Sequence, residues 1–275
     1  MTGVVNYDVV IRSGDQPVDM DYALETLGGA SEVTCLLAEA ILQKKVVKRR
    51  SPANKARAVL HQSFPSSYGQ NFALAIDDPI LKARLVEITN PVLAEIMGFY
   101  ISEAMYIQPP ALSARARHYI EELEYLEDEI ISRIRNPLIR MHKINYRRNW
   151  DIDFNFKPDG RQRKIVTLNT RTAANLTHTT VERERFNIIA MVTRFNSRTG
   201  NGRLVLQDED ETVAFGFANQ LGMVPSAQKR MISLNLHNNN GRSDNYIYLS
   251  MTVSRVVIMS GETVKYAVHS VRVLE

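Results

Sequence analysis

The sequence predicts an α+β protein of two domains: an N-terminal α+β domain with a central helical hairpin over residues 1–180, and a small antiparallel β-barrel over residues 181–275. Three observations lead to this fold class. The chain has 275 residues, which exceeds the usual size of a single domain. Strand-like and helix-like patterns alternate over the N-terminal part. From Phe186 onward, apolar residues recur at nearly every second position, with turn signals between the runs.

The N-terminal domain is predicted to begin with a strand at 4–11, which the turn signal Ser13-Gly14-Asp15 ends. A helix follows from an Asp19 or Asp21 cap to about Lys45, because apolar residues recur there at three- and four-residue spacings. The pair Gly28-Gly29 lies inside this helix. Because glycine is a poor helix former, we expect either a close packing contact or a break at that point. Two further strands are predicted at 56–63 and 71–76.

Two helical regions are predicted in the middle of the chain. The first begins at Asp77-Asp78-Pro79, breaks at Asn90-Pro91 and ends near Met105. The second runs from Ser113 to Arg135, before Pro137, with one apolar stripe at Leu123, Leu126, Ile130 and Ile134. This stripe leaves two interpretations open, packing within a helical hairpin and dimerisation. A hairpin of strands at 150–156 and 164–168 follows.

The barrel prediction depends on short alternating runs. The apolar positions are Phe186, Ile188 and Ala190; Leu204 and Leu206; Val213, Phe215 and Phe217; Ile232, Leu234 and Leu236; Ile247, Leu249, Met251 and Val253; and Val264, Tyr266 and Val268. Turn signals separate the runs, so each is predicted to be a strand, which gives about six short strands, as in a barrel or a sandwich. Closure of the sheet would remove the exposed strand edges.

Charge is distributed unevenly along the chain. The whole chain has a formal net charge of +4, but the part from Arg140 to Glu275 carries 20 Lys and Arg against 12 Asp and Glu. Two basic clusters stand out: Lys44, Lys45, Lys48, Arg49, Arg50, Lys55 and Arg57, and then Arg140, Lys143, Arg147, Arg148, Lys157, Arg161, Arg163, Lys164 and Arg171. Such residues can contact a phosphate backbone, but they also stabilise helix ends and solvated surfaces. Both interpretations remain open here.

No residue pattern indicates catalysis, a metal or a cofactor. The six histidines show neither HxH nor HExxH spacing, and phosphate-binding glycine motifs are absent. The single cysteine, Cys35, lies on the apolar stripe of a predicted helix and is interpreted as a buried hydrophobe. Asp151 and Asp153 share a strand face, yet nothing else marks them as an acid and a base. We also expect no signal peptide, no membrane contact and a cytoplasmic location.

One segment of the predicted barrel resembles cold-shock and related oligonucleotide-binding barrels. The matching residues are Phe195-Asn196, Gly200, Gly202 and the run 211–215. The resemblance implies that surface aromatic residues stack on bases and that nearby Lys and Arg contact phosphates. The sequence departs from this pattern after Gly202, where Arg203-Leu-Val-Leu lacks the interleaved phenylalanines that do the stacking.

The layout of the whole chain resembles a group of uncharacterised bacterial proteins. In those proteins an α/β N-terminal domain precedes a small C-terminal β-barrel. The corresponding features are the strand that ends at 11–14, the helix after Val18-Asp19, the hairpin through Ser63-Phe64, Asn136-Pro137-Leu138 and the Phe195-Asn196 barrel segment. The resemblance implies a role in a bacterial antiviral defence system and carries over no catalytic residue.

Together these observations predict a non-enzymatic binding protein whose basic C-terminal half contacts single-stranded nucleic acid or another acidic partner. The predicted contact residues are Arg147, Arg148, Arg194, Phe195, Arg198, Arg203, Lys229 and Arg230. The alternative is a protein-interaction or assembly subunit without nucleic-acid contact, which would use the 113–135 helix or a sheet edge to bind a protein partner or a second copy of itself. An enzyme is the third and least favoured class, because no residues are candidates for catalysis.

Overall fold

A computed structural model describes residues 4–47, 54–64, 68–177, 179–242, 244–258 and 261–274. The chain divides into two compact units. The first contains residues 1–105 and 109–177, and the second contains residues 106–108 and 178–275. The short segment 106–108 therefore belongs with the C-terminal unit, although the chain around it belongs to the first.

The first unit is built on a five-stranded antiparallel sheet. Its strands are β1 (Val4–Ile11), β2 (Ala56–Phe64), β3 (Tyr68–Ile76), β4 (Ile152–Phe156) and β5 (Arg163–Leu168), in the order β2-β3-β1-β4-β5. Helical segments connect β1 to β2 and β3 to β4. The N-terminal unit thus has the predicted α+β character. Along the chain, its helices occur between its strands and are not collected in a separate segment.

The helices of the first unit lie between its strands, except for the last one, which follows β5. They are α1 (Met20–Gln43), α2 (Pro79–Ile88), α3 (Asn90–Ala104), α4 (Ala114–Glu122), α5 (Glu127–Met141), α6 (Lys143–Arg148) and α7 (Thr170–Thr177). Of the two predicted caps of α1, Asp19 forms, since its carboxylate accepts from the Asp21 backbone N–H at 3.1 Å. At the predicted helix start, Asp77-Asp78-Pro79, the Asp78 carboxylate accepts from the backbone N–H groups of Ile80 and Leu81 at 3.0 Å. The Tyr7 hydroxyl reaches the Met97 sulfur at 3.4 Å, so α3 packs on the face of β1 that carries Tyr7.

The predicted helix at 113–135 is interrupted and longer than expected. A 3₁₀ turn at Glu124–Leu126 separates α4 from α5, and α5 continues through Pro137 to Met141. The predicted end before Pro137 is therefore wrong, because tertiary packing holds α5 against α1 despite the proline. The stripe residues Leu123, Leu126, Ile130 and Ile134 are all buried, which agrees with packing inside the unit rather than with an exposed dimerisation seam.

The second unit contains a closed five-stranded β-barrel. Its strands are β7 (Phe186–Phe195), β8 (Asn201–Leu206), β9 (Thr212–Phe217), β10 (Leu249–Val257) and β11 (Thr263–Val273), and the short β6 (Thr180–Val181) pairs with β10. Pairing runs β7-β8-β9-β11-β10 and returns from β10 to β7. The core contains Ala190, Leu204, Phe215, Met251 and Val268 among others.

Two details of the predicted barrel are wrong. The barrel is mixed rather than purely antiparallel, because β9 and β11 pair in parallel. In addition, the predicted strand at 232–236 is part of a helix, α8 (Ser226–Asn239), which connects β9 to β10. The two differences are related. Helix α8 leads the chain from β9 to β10, which pairs with β7, and β11 then lies between β10 and β9 and runs parallel to β9.

No helix among the described residues combines the length and the apolar character that crossing a membrane requires.

Candidate nucleic-acid interface

Six of the eight predicted contact residues lie in the barrel unit. Arg194 and Phe195 are half-buried at the end of β7, and Arg198 is exposed in the turn before β8. Lys229 is half-buried and Arg230 is exposed on α8. Arg203, on β8, is buried, with 4% of its surface exposed. The six residues therefore differ in how well a ligand could reach them.

The turn from 196 to 200 is built by a buried asparagine. The Asn196 Oδ1 atom accepts hydrogen bonds from the backbone N–H groups of Arg198 at 2.9 Å and Thr199 at 3.0 Å. The Asn196 backbone also exchanges hydrogen bonds with Gly200 and Asn201 at 2.8 Å. Asparagine side chains commonly close turns in this way. The backbone that carries the exposed Arg198 side chain is therefore held in one conformation.

This turn lies against the segment that leads into α8. Gly200 has φ +78°, and a Cβ atom at this position would lie 2.8 Å from the Leu221 side chain and 3.1 Å from Phe217. Lys229 in turn donates from Nζ to the Leu221 carbonyl oxygen at 3.3 Å. The contacts place the turn, Leu221 and the beginning of α8 at one end of the barrel. We call residues 194–201, residues 221–230 and Lys265 the turn end.

Lys265 is a member of the turn end that the sequence did not indicate. It lies on β11, and its Nζ atom donates to the Asn201 Oδ1 atom on β8 at 2.8 Å. Gly216 lies beneath this bond, where a Cβ atom would collide with both side chains. Lys265 is isolated among apolar residues in the sequence. The parallel pairing of β9 with β11 brings Lys265 beside Asn201. No sequence pattern predicts this pairing.

Phe195 contributes to the barrel core more than to an open surface. Its ring stacks on Phe215 with centroids 6.2 Å apart and meets Phe217 edge-on at 6.4 Å. Phe215 is fully buried, whereas Phe195 and Phe217 are half-buried and pack against the barrel core. The ring faces of Phe195 are thus partly occupied by its neighbours.

Arg203 holds a backbone segment of its own unit. Its guanidinium donates to the Ile107 carbonyl oxygen at 2.5 Å, to the Thr212 carbonyl oxygen at 3.3 Å and to the Thr212 hydroxyl at 3.1 Å. Gln108 strengthens the arrangement, since its Oε1 accepts from the Thr212 hydroxyl at 3.1 Å. The guanidinium is thus engaged on the outer side of β8 and β9, where it fixes the segment 106–108.

The other two predicted residues, Arg147 and Arg148, lie on α6 in the first unit. Both are exposed, and the Arg147 guanidinium lies 5.9 Å from the centre of the Tyr22 ring. Acidic residues of the same unit pair with several other members of their basic cluster. The pairs are Arg140 with Glu32, Lys143 with Glu25, Lys157 with Asp8, and Lys164 with Asp153. Counting charges along the chain could not reveal this internal pairing.

The pairing has an electrostatic consequence at Asp153. Burial acts to raise the pKa of this carboxyl group, but hydrogen bonds from Thr167, Arg12 and Lys164 outweigh burial and lower the pKa. The carboxylate thus stays ionised and neutralises part of the cationic charge around it. The strand face around Asp153 is less positive than its sequence suggested.

The first basic cluster is also partly paired. Lys44 contacts Glu122 at 2.7 Å, and Lys55 contacts Asp78 at 2.7 Å. Lys48, Arg49 and Arg50 lie outside the described residues. Among the described members of this cluster, Lys44 and Lys55 therefore form ion pairs with acidic residues of their own unit.

The described residues contain no group of three or more His, Cys, Asp or Glu side chains that could hold a metal ion. Ser254 and His269 approach within 3.0 Å on neighbouring strands of the barrel. However, the Ser254 hydroxyl donates to the Glu184 carbonyl oxygen at 2.9 Å and is 2% exposed. The hydrogen-bonding capacity of the buried Ser254 hydroxyl is therefore met within the protein. Because the hydroxyl is buried and donates to a backbone carbonyl, it is not an activated nucleophile that a substrate could reach.

Comparison with known proteins found no match to the chain among protein-family models, curated proteins or solved structures.

Proposed function

We propose that this protein binds single-stranded nucleic acid at the turn end of its barrel and catalyses no reaction. The observation that carries the proposal is the gathering of cationic side chains from three separate elements. Arg198 comes from the β7–β8 turn, Lys229 and Arg230 come from α8, and Lys265 comes from β11. Cationic side chains that surround a barrel end can neutralise the phosphates of a strand lying across it.

The order of the strands supports the proposal. In five-stranded oligonucleotide-binding barrels, the ligand lies on the second and third strands and on the loop between the first and second. If the present barrel is of that kind, the equivalent elements are β8, β9 and the turn from 196 to 200. The turn end contains this turn and the beginning of β8.

The segment 106–108 limits where a strand could lie. Arg203 and Thr212 hold Ile107 and Gln108 against one part of the β8–β9 surface. The other part, around Asn201 and Lys265, adjoins the basic turn. We therefore expect the ligand at the Asn201 end and no direct phosphate contact from Arg203, whose guanidinium is engaged by Ile107 and Thr212.

Phosphate contacts should dominate the affinity. Phe195 at the turn end is half-buried, stacks on Phe215 and meets the half-buried Phe217 edge-on, so it offers little open face for bases. Binding should thus depend steeply on salt and only weakly on base sequence.

The experiment is a titration of the full chain against fluorescently labelled single-stranded DNA, followed by anisotropy at several salt concentrations. The test variant is Arg198→Ala with Arg230→Ala. If both residues contact phosphates, the affinity should fall, and the slope of log K against log salt should shrink by roughly 0.7 for each lost contact.

Arg272→Ala is the matched control. Arg272 is exposed near the far end of β11 from Lys265, so this variant removes a positive charge from the same unit outside the turn end. It should leave the slope unchanged. Failure of the wild-type chain to bind at low salt would refute the proposal, and so would equal losses in the test and control variants.

A protein-assembly function is the second candidate, and one observation favours it. The strand β2 lies at the edge of the first sheet, and its side chains Val59 and Leu60 are 46% and 65% exposed. Exposed apolar residues on an edge strand favour pairing with another chain. Light scattering should then show a dimer that Leu60→Lys converts to a monomer, whereas a monomeric wild-type chain would exclude self-association through this edge.

A further inference from the structure

A polar cavity of about 340 Å³ lies on the first sheet, in the unit that does not contain the barrel. Its lining includes the residues Asn6, His61, Gln62, Asn71 and Lys157. His61 and Gln62 form a bulge in β2, where the register with β3 shifts between Leu60 and Ser63. Bulges of this kind redirect side chains and often lie beside functional sites.

A buried carboxylate supports the floor of this cavity. Asp8 has no exposed surface, and its two oxygens accept hydrogen bonds from Asn155 Nδ2 at 2.7 Å and Gln162 Nε2 at 2.9 Å. The Lys157 ammonium lies 3.7 Å from Asp8. A buried charge destabilises a protein unless it is paired and hydrogen-bonded, so the arrangement around Asp8 is a fully supported network.

The same network holds the ammonium of Lys157 in place. Lys157 Nζ donates to Asn71 Oδ1 at 3.1 Å and lies 5.6 Å from the centre of the Phe64 ring. Asp8, Asn71 and Phe64 therefore fix the ammonium from three sides. Because the Asn71 Oδ1 atom accepts from Lys157, the Asn71 Nδ2 group is the part of this side chain that can donate a hydrogen bond to a ligand.

The chemistry of the lining selects a class of ligand. The positive charge of Lys157 is balanced by Asp8, so the floor carries little net charge and a free phosphate finds little electrostatic attraction. Three residues with carboxamide side chains, Asn6, Gln62 and Asn71, line the cavity, and a carboxamide offers both hydrogen-bond donors and an acceptor. Asn and Gln carboxamides pair in this way with the donor and acceptor groups on the edge of a nucleobase. The volume also falls within the range of small-molecule sites, about 300–1,000 Å³.

We propose that this cavity binds one unpaired nucleobase, whose edge pairs with the carboxamides of Gln62 and Asn71. The base could belong to a free nucleotide or to an unpaired position in a strand. The site lies in the first unit and uses none of the turn-end residues of the barrel. The choice of a nucleobase over another polar ligand rests on the proposed nucleic-acid function. Binding of a ligand in the cavity is measured independently of binding at the barrel.

The test uses the full chain and the four ribonucleoside 5′-monophosphates, with ligand-observed NMR titration as the readout. We expect saturable binding that differs among the four bases. Gln62→Ala and Asn71→Ala should each weaken the preferred nucleotide roughly tenfold, since one paired amide has about this effect on base recognition. Circular dichroism should show that both variants remain folded.

Two control variants separate binding in this cavity from binding elsewhere on the chain. Gln16→Ala removes an exposed amide of the same unit beyond the far end of β1, and it should leave binding unchanged. The Arg198→Ala/Arg230→Ala variant should also bind mononucleotides normally, so failure of the barrel proposal would leave this result intact.

The source of the base is resolved by comparing each mononucleotide with a trinucleotide that carries the same base. Equal affinities for the two ligands indicate a free nucleotide. Tighter binding of the trinucleotide, with the difference in affinity lost in Gln62→Ala, indicates a base within a strand. Absence of saturable nucleotide binding would overturn the proposal. Binding that Gln62→Ala and Asn71→Ala leave unchanged would also overturn it, as would saturable binding of a simple sugar in place of every nucleotide.

Discussion

His142 is a fully buried imidazole in the first unit. Its Nδ1 atom donates to the Leu138 carbonyl oxygen at 2.7 Å, and its Nε2 atom accepts from the Thr172 hydroxyl at 2.8 Å. Burial lowers the pKa of His142 from 6.5 to about 4 and outweighs the hydrogen bond to Leu138, which acts to raise it. The folded protein thus contains a neutral imidazole at pH values where the unfolded chain is protonated.

The pKa of His142 predicts a loss of stability in acid. Between pH 6.5 and pH 4 the unfolded chain binds the proton and the folded chain does not, so the free energy of unfolding falls as the pH falls. The loss from this residue should approach roughly 3 kcal/mol near pH 4. Denaturant unfolding at successive pH values measures it, and His142→Gln should flatten the profile in this window.

His237→Gln provides the comparison, because His237 is exposed on α8. This variant should keep the wild-type pH profile. Some acid sensitivity should remain in His142→Gln, because burial, followed by the nearby Arg185, also lowers the pKa of His269. A His142→Gln profile as steep as that of the wild type would contradict the assignment.

Arg203 tests whether a buried arginine stabilises the barrel or binds a ligand. Arg203→Ala removes the hydrogen bonds to Ile107 and Thr212, and we expect a loss of about 2–3 kcal/mol in the free energy of unfolding. Arg198→Ala, at an exposed position, should change stability by less than about 0.5 kcal/mol. Equal stability of the two variants in denaturant unfolding would show that Arg203 does not anchor segment 106–108.

At the scale of single elements, the two glycines of α1 have opposite roles. The helix is continuous through Gly28 and Gly29. A Cβ atom at Gly29 would lie 2.5 Å from the Met141 backbone nitrogen and 2.6 Å from the Pro137 carbonyl oxygen, whereas a Cβ atom at Gly28 would meet nothing within 4 Å. Gly29 thus allows α1 to approach the backbone of α5 closely.

Substituting each glycine by alanine should change stability in opposite directions. Gly29→Ala should destabilise the protein by about 3 kcal/mol or more, because backbone atoms of α5 cannot move aside cheaply. Gly28→Ala should stabilise it by about 0.5–1 kcal/mol, because alanine is the better helix former. Thermal and denaturant unfolding of the two variants measure this difference, and effects of the same sign would contradict the packing described.

The helix α8 occupies residues for which hydrophobic alternation predicts a strand. Ile232, Leu234 and Leu236 alternate as in a strand, but Leu234 is 58% exposed in the structure. The buried face of α8 instead includes Asn235, which accepts from the Val192 backbone N–H and donates to the Ile247 carbonyl oxygen, both at 2.8 Å. Because polar residues occupy part of the buried face of α8, apolar residues do not recur there every three or four positions, and hydrophobic periodicity alone does not identify this helix.

At the scale of the whole molecule, each unit encloses its own hydrophobic core. Separate cores predict separate unfolding events, since multidomain chains commonly depart from two-state behaviour. Calorimetry should resolve two transitions, one shifted by Gly29→Ala and the other by Arg203→Ala. A single transition that both variants shift equally would show that the two units unfold as one.

The sequence by itself determined the local elements that short-range physics controls. The strand at 4–11, the Asp19 cap and the helix start at Asp77-Asp78-Pro79 depend on side-chain alternation and on neighbouring backbone groups, so they could be predicted. It also indicated the β-rich C-terminal unit and the basic turn at Arg198. These features need no knowledge of distant contacts.

Only the tertiary structure decided which residues meet. The parallel pairing of β9 with β11 brings Lys265 to Asn201, and the order of the first sheet brings Lys157 to Asp8, 149 positions earlier in the chain. The structure also separates the buried Arg203 from the exposed Arg198, which the sequence had grouped together. Such differences arise from long-range pairing and burial, which act between residues that no local pattern connects.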